Sequence, residues 1–147
     1  MTKQEYLSRA WMLDREIEYQ VRRMKNLQLR LTDIAHGWPG SERVGTSAPE
    51  EAHYARLLAS LDEMAGELEN RTKEYVRTKR EIERTIARVS DVSYRLMLQY
   101  RYLEHLTWDQ VGEALCVDPS TAKRWHRKAM DMVEIPEEEY IPTVPRQ

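Results

Sequence analysis

Residues 107–128, TWDQVGEALCVDPSTAKRWHRK, decide how the rest of the chain is read. Thr107 and Gln110 have the spacing of a capping box, in which a hydroxyl and an amide each satisfy an orphan backbone N–H at a helix start. A helix is therefore expected over 108–115, with Val111 and Leu115 four apart on one face. Asp118 and Pro119 suit the N-cap and first position of a second helix, over about 119–133. In that helix Ala122, Trp125 and Ala129 keep the spacing of a buried stripe, while Lys123, Arg124, Arg127 and Lys128 fall on the faces between. Two short helices on a tight joint, the second of them basic, read as a helix-turn-helix. Cys116 stands in the joint, where glycine is usual because the backbone there often takes φ > 0.

The first helix of this head is expected near 92–104, with Val92, Leu96, Tyr100 and Leu103 down one side. Leu96, Tyr100, Leu103, Leu106, Val111, Leu115, Val117, Ala122, Trp125 and Ala129 are the expected core. Cys116 fits a semi-buried structural thiol, and His126 a surface histidine. Trp108 is placed to help cover the core.

Upstream, Thr2 and Glu5 form another capping box. From there Tyr6, Ala10, Leu13, Ile17, Gln20, Met24, Leu27, Leu31 and Ile34 repeat in strict 4-3 alternation, a heptad seam. The glycines and prolines after His36 break it, so a loop is expected over about 37–48. Ser47 and Glu50 give a third capping box, and a second seam follows through Tyr54, Leu58, Leu61, Ala65, Leu68, Thr72, Tyr75, Lys79, Ile82, Ile86 and Val89. Folded back at the loop, position i would face about 85 minus i, setting Leu27 on Leu58, Gln20 on Ala65 and Tyr6 on Lys79. Ile82, Ile86 and Val89 would then overhang the first arm and pack on the head, with Leu7 and Trp11 as candidates to dock beside them. Leu57 and Met64, and Met12 and Tyr19, lie off this seam at seven-residue spacing and could join two hairpins as a homodimer.

The expected fold is all-α: a long antiparallel coiled-coil hairpin over 1–89, a three-helix head over 90–133 and an acidic, proline-rich tail over 134–147. Charged residues make up 33% of the chain, which suits exposed helices with narrow apolar seams. A net charge of −2 argues neither for nor against a nucleic-acid partner. One cysteine excludes an internal disulfide, and the four histidines show no metal-ligand spacing, so no metal and no other cofactor is expected. No apolar run approaches the roughly 20 residues that span a bilayer, and no apolar signal core follows Met1. A cytoplasmic protein without membrane contact is the expectation. Neither a glycine-rich phosphate loop nor a grouped nucleophile, histidine and carboxylate is present, so no catalytic residue is assigned and no enzyme activity is expected.

The segment YRYLE (100–104) with LTW (106–108), Val111-Gly112 and Ser120-Thr121-Ala122 resembles region 4 of bacterial sigma factors, which recognises the promoter −35 element. Over residues 2–132 the chain is similar to small phage and prophage proteins grouped with the RinA and ArpU types of transcription regulator. The resemblance implies sequence-specific binding of double-stranded DNA and control of phage or mobile-element genes in a bacterial host, with RNA polymerase as a possible further partner. In that setting helix 119–133 would enter the major groove. Ser120, Lys123, Arg124 and Arg127 would read base edges, and Thr121 and Lys128 would steady the phosphate backbone. The alternatives are a DNA-packaging subunit of the small-terminase kind and a protein adaptor that contacts RNA polymerase without touching DNA.

Overall fold

Helix α1, Lys3–His36, opens on a reciprocal bond pair: the Thr2 amide donates to Glu5 Oε2 at 2.7 Å, and the Glu5 amide donates to Thr2 Oγ1 at 3.1 Å. The computed structural model describes residues 1–36 and 48–136. The expected loop, the Ser47 capping box and the tail beyond Pro136 lie outside them. Five α-helices and one π-helical turn make up the described chain, with no strand among the described residues: α1, α2 (Ala48–Ala87), α3 (Val92–Leu98), the π-helical turn (Gln99–Leu103), α4 (Trp108–Leu115) and α5 (Pro119–Met132). The fold is all-α.

Contacts divide the chain into two units, one of residues 1–13 with 75–147 and one of residues 14–74. The division falls inside the two long helices, not at the Ser90–Asp91 break where the sequence put the head's boundary. The first unit owes this to its core. Tyr6, Leu7 and Ala10 of α1 join Ile82, Ile86 and Val89 at the end of α2, and Met97, Leu98, Tyr102, Leu103, Val111, Ala122, Ala129 and Val133 complete the same buried cluster. The α2 overhang thus packs on the head, and Leu7 docks with it. Trp11 does not join this core and stays 43% exposed. Ile135, placed in the tail by sequence, packs against the cluster.

Within that unit the two long helices run antiparallel. The Tyr6 hydroxyl bonds Thr85 Oγ1 at 3.0 Å, and Arg9 reaches Glu81 at 3.4 Å. Tyr6 thus meets α2 nearly two turns beyond the Lys79 that the sequence alignment gave it. Two interleaved heptad frames on α2 share Leu61, Leu68, Tyr75, Ile82 and Val89, and they differ in which side of the helix they turn inward. The frame expected from sequence has Leu58, Ala65, Thr72, Lys79 and Ile86 as its alternate positions; the folded chain turns Leu57, Met64, Thr78 and Thr85 inward and keeps Ile86 buried as well. Thr78 and Thr85 look too polar for a seam, but the Tyr6 hydroxyl satisfies Thr85 in the interior.

The second unit shows the same choice. Leu57, Leu61, Met64 and Leu68 are half-buried, while Leu58 is 42% exposed. On α1 the expected seam holds, with Leu27 and Leu31 buried and Ile17, Gln20, Met24 and Ile34 half-buried. Arg71 bridges Glu16 at 3.5 Å and Glu74 at 3.2 Å. Leu57 and Met64 are thus half-buried within their own unit, whereas Met12 (54%) and Tyr19 (58%) stay exposed.

The helix expected over 92–104 is interrupted. After Leu98 the chain widens into the π-helical turn, closed by the Glu104 amide donating to the Gln99 carbonyl and the Leu106 amide to the Tyr100 carbonyl. His105 then takes φ 58°. The wider turn changes which residues face in. Met97 and Leu98 are fully buried, while Val92 (58%), expected on the packing side, and Leu96 (38%), expected in the core, face outward.

Candidate nucleic-acid interface

The capping box that opens α4 forms as its spacing implies: the Gln110 amide donates to Thr107 Oγ1 at 3.3 Å, and the Thr107 amide to Gln110 Oε1 at 2.9 Å. α4 ends at Cys116, whose φ of 56° and ψ of 41° place it in the left-handed region. Its side chain is exposed, not semi-buried as expected from the sequence. The turn is held by the Val117 amide donating to the Gly112 carbonyl at 2.9 Å. Gly112 has no room for a side chain, since a Cβ there would lie 2.7 Å from the Val117 carbonyl oxygen and 3.2 Å from the Pro119 nitrogen. α5 starts with Asp118 at the N-cap and Pro119 in its first turn; the Asp118 carboxylate makes no capping bond and is exposed.

The inner face of α5 fixes how the helix is rolled. Ala122 and Ala129 are fully buried, and Trp125 meets Tyr94 of α3 edge to face at 6.1 Å between ring centres. His126 belongs to this face as well and is not a surface histidine. Its Nε2 bonds the Tyr102 hydroxyl of the π-helical turn, and its ring meets Trp108 edge-on at 5.1 Å. The Arg101 guanidinium sits 4.7 Å from the Trp108 ring centre and donates to the Leu106 carbonyl at 2.8 Å. Burial holds the His126 pKa below the usual imidazole value, and the Arg101 charge lowers it further. Burial also pushes the Tyr102 phenol up to about 12, against a smaller lowering by Arg101.

The other end of α5 is held from α1. Lys3 Nζ donates to the Met130 carbonyl at 2.9 Å, placing a cation at the carbonyl end of the helix, where the helix dipole favours it. Sequence reasoning missed Lys3, Arg101 and Tyr102 as positioning residues for α5. Each acts over a contact that no local spacing announces.

With the inner face fixed, Ser120, Lys123, Arg124, Arg127 and Lys128 all lie exposed on the outer side of α5, and Thr121 is half-buried beside them. Arg124 Nη2 donates to Thr121 Oγ1 at 3.3 Å. None of the four cations has a carboxylate within ion-pair distance among the described residues. Their common face can offer charge and N–H donors to a polyanion. No group of three or more histidine, cysteine or carboxylate side chains among the described residues could hold a metal, and no helix there is long and apolar enough to cross a membrane.

A family model described as protein of unknown function (DUF1492) matches residues 45–134, which takes in every described element from α2 to α5. The chain belongs to the DUF1492 family. No curated protein and no solved structure matches it. The DUF1492 match includes the whole candidate face on α5 and the α2 residues beneath the head, but not α1.

Proposed function

We propose that this DUF1492 protein is a sequence-specific DNA-binding regulator of transcription, acting on phage or mobile-element genes in the bacterial cytoplasm. One observation carries the reading: Lys123, Arg124, Arg127 and Lys128 share the outer side of the second helix of a helix–turn–helix whose inner side is anchored by Ala122, Trp125, His126 and Ala129. A helix held this firmly presents its cations in a fixed pattern, so little ordering cost is left for binding.

With α5 in the major groove, Ser120 and Lys123 near its N-terminus would reach base edges. Arg124 and Arg127 would offer the bidentate geometry that matches guanine O6 and N7, worth about 1–3 kcal/mol of discrimination each. Thr121 and Lys128 would contact phosphates, and the Thr121 hydroxyl already restrains Arg124. The resemblance of residues 100–122 to sigma region 4 supports a promoter as the target and RNA polymerase as a further partner. A homodimer would double the contacts that a single head makes.

The test is selection of bound fragments from the source genome by the purified chain, followed by affinity measurements with Arg124→Ala combined with Arg127→Ala. The reading expects recovery of a recurring site upstream of genes and loss of preference for it in the double variant. Recovery of random sequence alone, or wild-type binding that does not depend on salt, would overturn it.

A further inference from the structure

Charge changes sign along α2. Residues 50–74 carry seven acidic and three basic side chains, whereas residues 77–88 carry five basic and two acidic ones. In the acidic stretch two of the three cations are used locally: Arg71 bridges Glu16 and Glu74, and Lys73 pairs with Glu69 at 3.2 Å. Some charges of the basic stretch are also accounted for, since Glu81 pairs with Arg9 and Lys79 sits over the Tyr75 ring at 5.7 Å. Arg77, Arg80, Arg84 and Arg88 remain, all four exposed and without an ion pair among the described residues.

These four arginines recur at intervals of three, four and four, which sets them on one face of the helix and the turn that closes it. That face is opposite the one formed by Ile82, Ile86 and Val89, which are buried in the head's core. The arrangement costs the fold something. Like charges at i, i+4, as in Arg80 with Arg84, destabilise a helix. Two carboxylates are interspersed among them: Glu81, taken up by Arg9, and Glu83, which is exposed without an ion pair of its own among the described residues.

We propose that the Arg77, Arg80, Arg84 and Arg88 face is a second DNA contact, one that engages phosphates rather than bases. The proposal rests on the DNA-binding reading of α5, which lies in the same unit. Four guanidinium groups over twelve residues span about 16 Å of helix. A DNA strand presents a phosphate about every 3.4 Å of duplex axis, so a row with one guanidinium per roughly 5–6 Å is sparser than the phosphates it would follow, each long side chain engaging one of them through paired N–H donors. Duplex DNA suits the row better than an acidic protein helix does: its charge is continuous, whereas the acidic stretch of α2 is interspersed with its own cations and partly ion-paired.

The experiment is fluorescence anisotropy of the full chain with a labelled duplex of about three helical turns, measured across a salt series for four proteins. These are the wild type, Arg124→Ala with Arg127→Ala, a fourfold Arg→Gln variant at 77, 80, 84 and 88, and the matching fourfold Arg→Lys variant. The Gln variant should keep the wild-type helical signal and melting temperature or gain slightly, since repulsion is relieved. Its slope of log affinity against log salt should be shallower by about 0.9 for each phosphate no longer neutralised, or about two to four units in all. The order in which it prefers different duplexes should not change, and the Lys variant should keep most of the wild-type slope. A Gln variant with the wild-type slope would overturn the second contact and leave α5 as the DNA-binding face. Self-association of the wild type that the Gln variant loses, with DNA binding intact, would assign the face to an acidic protein surface instead. Absence of any duplex binding by the wild type would overturn both readings.

Discussion

The Tyr102 hydroxyl and His126 Nε2 lie 2.5 Å apart and tie the π-helical turn to the middle of α5 across 24 residues of sequence. Half-buried beside Trp108 and near the Arg101 charge, His126 resists protonation in the folded chain. The unfolded chain takes up that proton near the ordinary imidazole value of about 6.5. A depressed histidine pKa therefore contributes stability that is fully present above that value and falls away as pH drops below it. Thermal melts between neutral and mildly acid pH should show a falling melting temperature, and His126→Gln should flatten that part of the curve. The Tyr102 phenol, raised to about 12, works at the other end. Its stabilisation is lost as pH rises above about 10, where the unfolded phenol ionises first. A His126→Gln protein with the wild-type acid slope would show that other groups set it.

What the sequence revealed was mostly local. Thr107 with Gln110, Thr2 with Glu5 and Asp118 with Pro119 define helix starts within four residues, and each of those starts lies where the spacing put it. The α1 seam was legible because its 4-3 spacing runs without a break from Tyr6 to Ile34. On α2 two frames compete, and polarity hid the inward turn of Thr78 and Thr85, because the bond that makes Thr85 acceptable comes from Tyr6, 79 residues away. The inward face of α3 was misread for a related reason. Helical periodicity assumes 3.6 residues per turn, and the π-helical turn at Gln99–Leu103 does not keep it. Of the candidate site, the basic outer face of α5 followed from Ala122 and Ala129, while the Lys3, Arg101 and Tyr102 contacts that fix the helix did not.

Two glycines should respond to alanine in opposite directions. At Gly112 the new Cβ would collide with backbone at the turn, which cannot move without separating α4 from α5. Gly112→Ala should destabilise by about 1–3 kcal/mol, as overpacking does, and weaken any DNA binding by shifting α5. Gly66, inside α2, has open space where a methyl group would stand, with nothing within 4 Å, so Gly66→Ala should stabilise by up to about 1 kcal/mol through helix propensity. Denaturation midpoints of the two variants should fall on either side of the wild type. Equal shifts would contradict the close approach at Gly112.

Cys116 holds a left-handed conformation that a side chain disfavours by roughly 1–2 kcal/mol, and its exposed thiol contributes no burial in return. Cys116→Gly should therefore raise the unfolding free energy by about 1 kcal/mol, with the α4–α5 turn unchanged. Cys116→Val should lower it, since a β-branched side chain tolerates positive φ least. The wild-type thiol should react with a water-soluble thiol reagent without prior unfolding. Slow reaction limited by unfolding would place the thiol inside the head.

Gln20 occupies the α1 seam with its Oε1 buried and without a hydrogen-bond partner among the described residues. Leaving a polar atom unsatisfied costs about 1–3 kcal/mol, so Gln20→Leu should stabilise the 14–74 unit by about that much. A polar residue in a heptad seam can also set register, because the wrong alignment would bury it among apolar side chains with even less compensation. That role matters here, since α2 offers two overlapping apolar frames and Leu58 competes with Leu57 for the interior. The variant should then be more stable yet less uniquely aligned. Urea denaturation would register the first effect, and cross-linking of cysteine pairs placed at Glu16 with Arg71 would register the second. Reduced stability in Gln20→Leu would mean that Gln20 supports its unit through a contact other than seam packing.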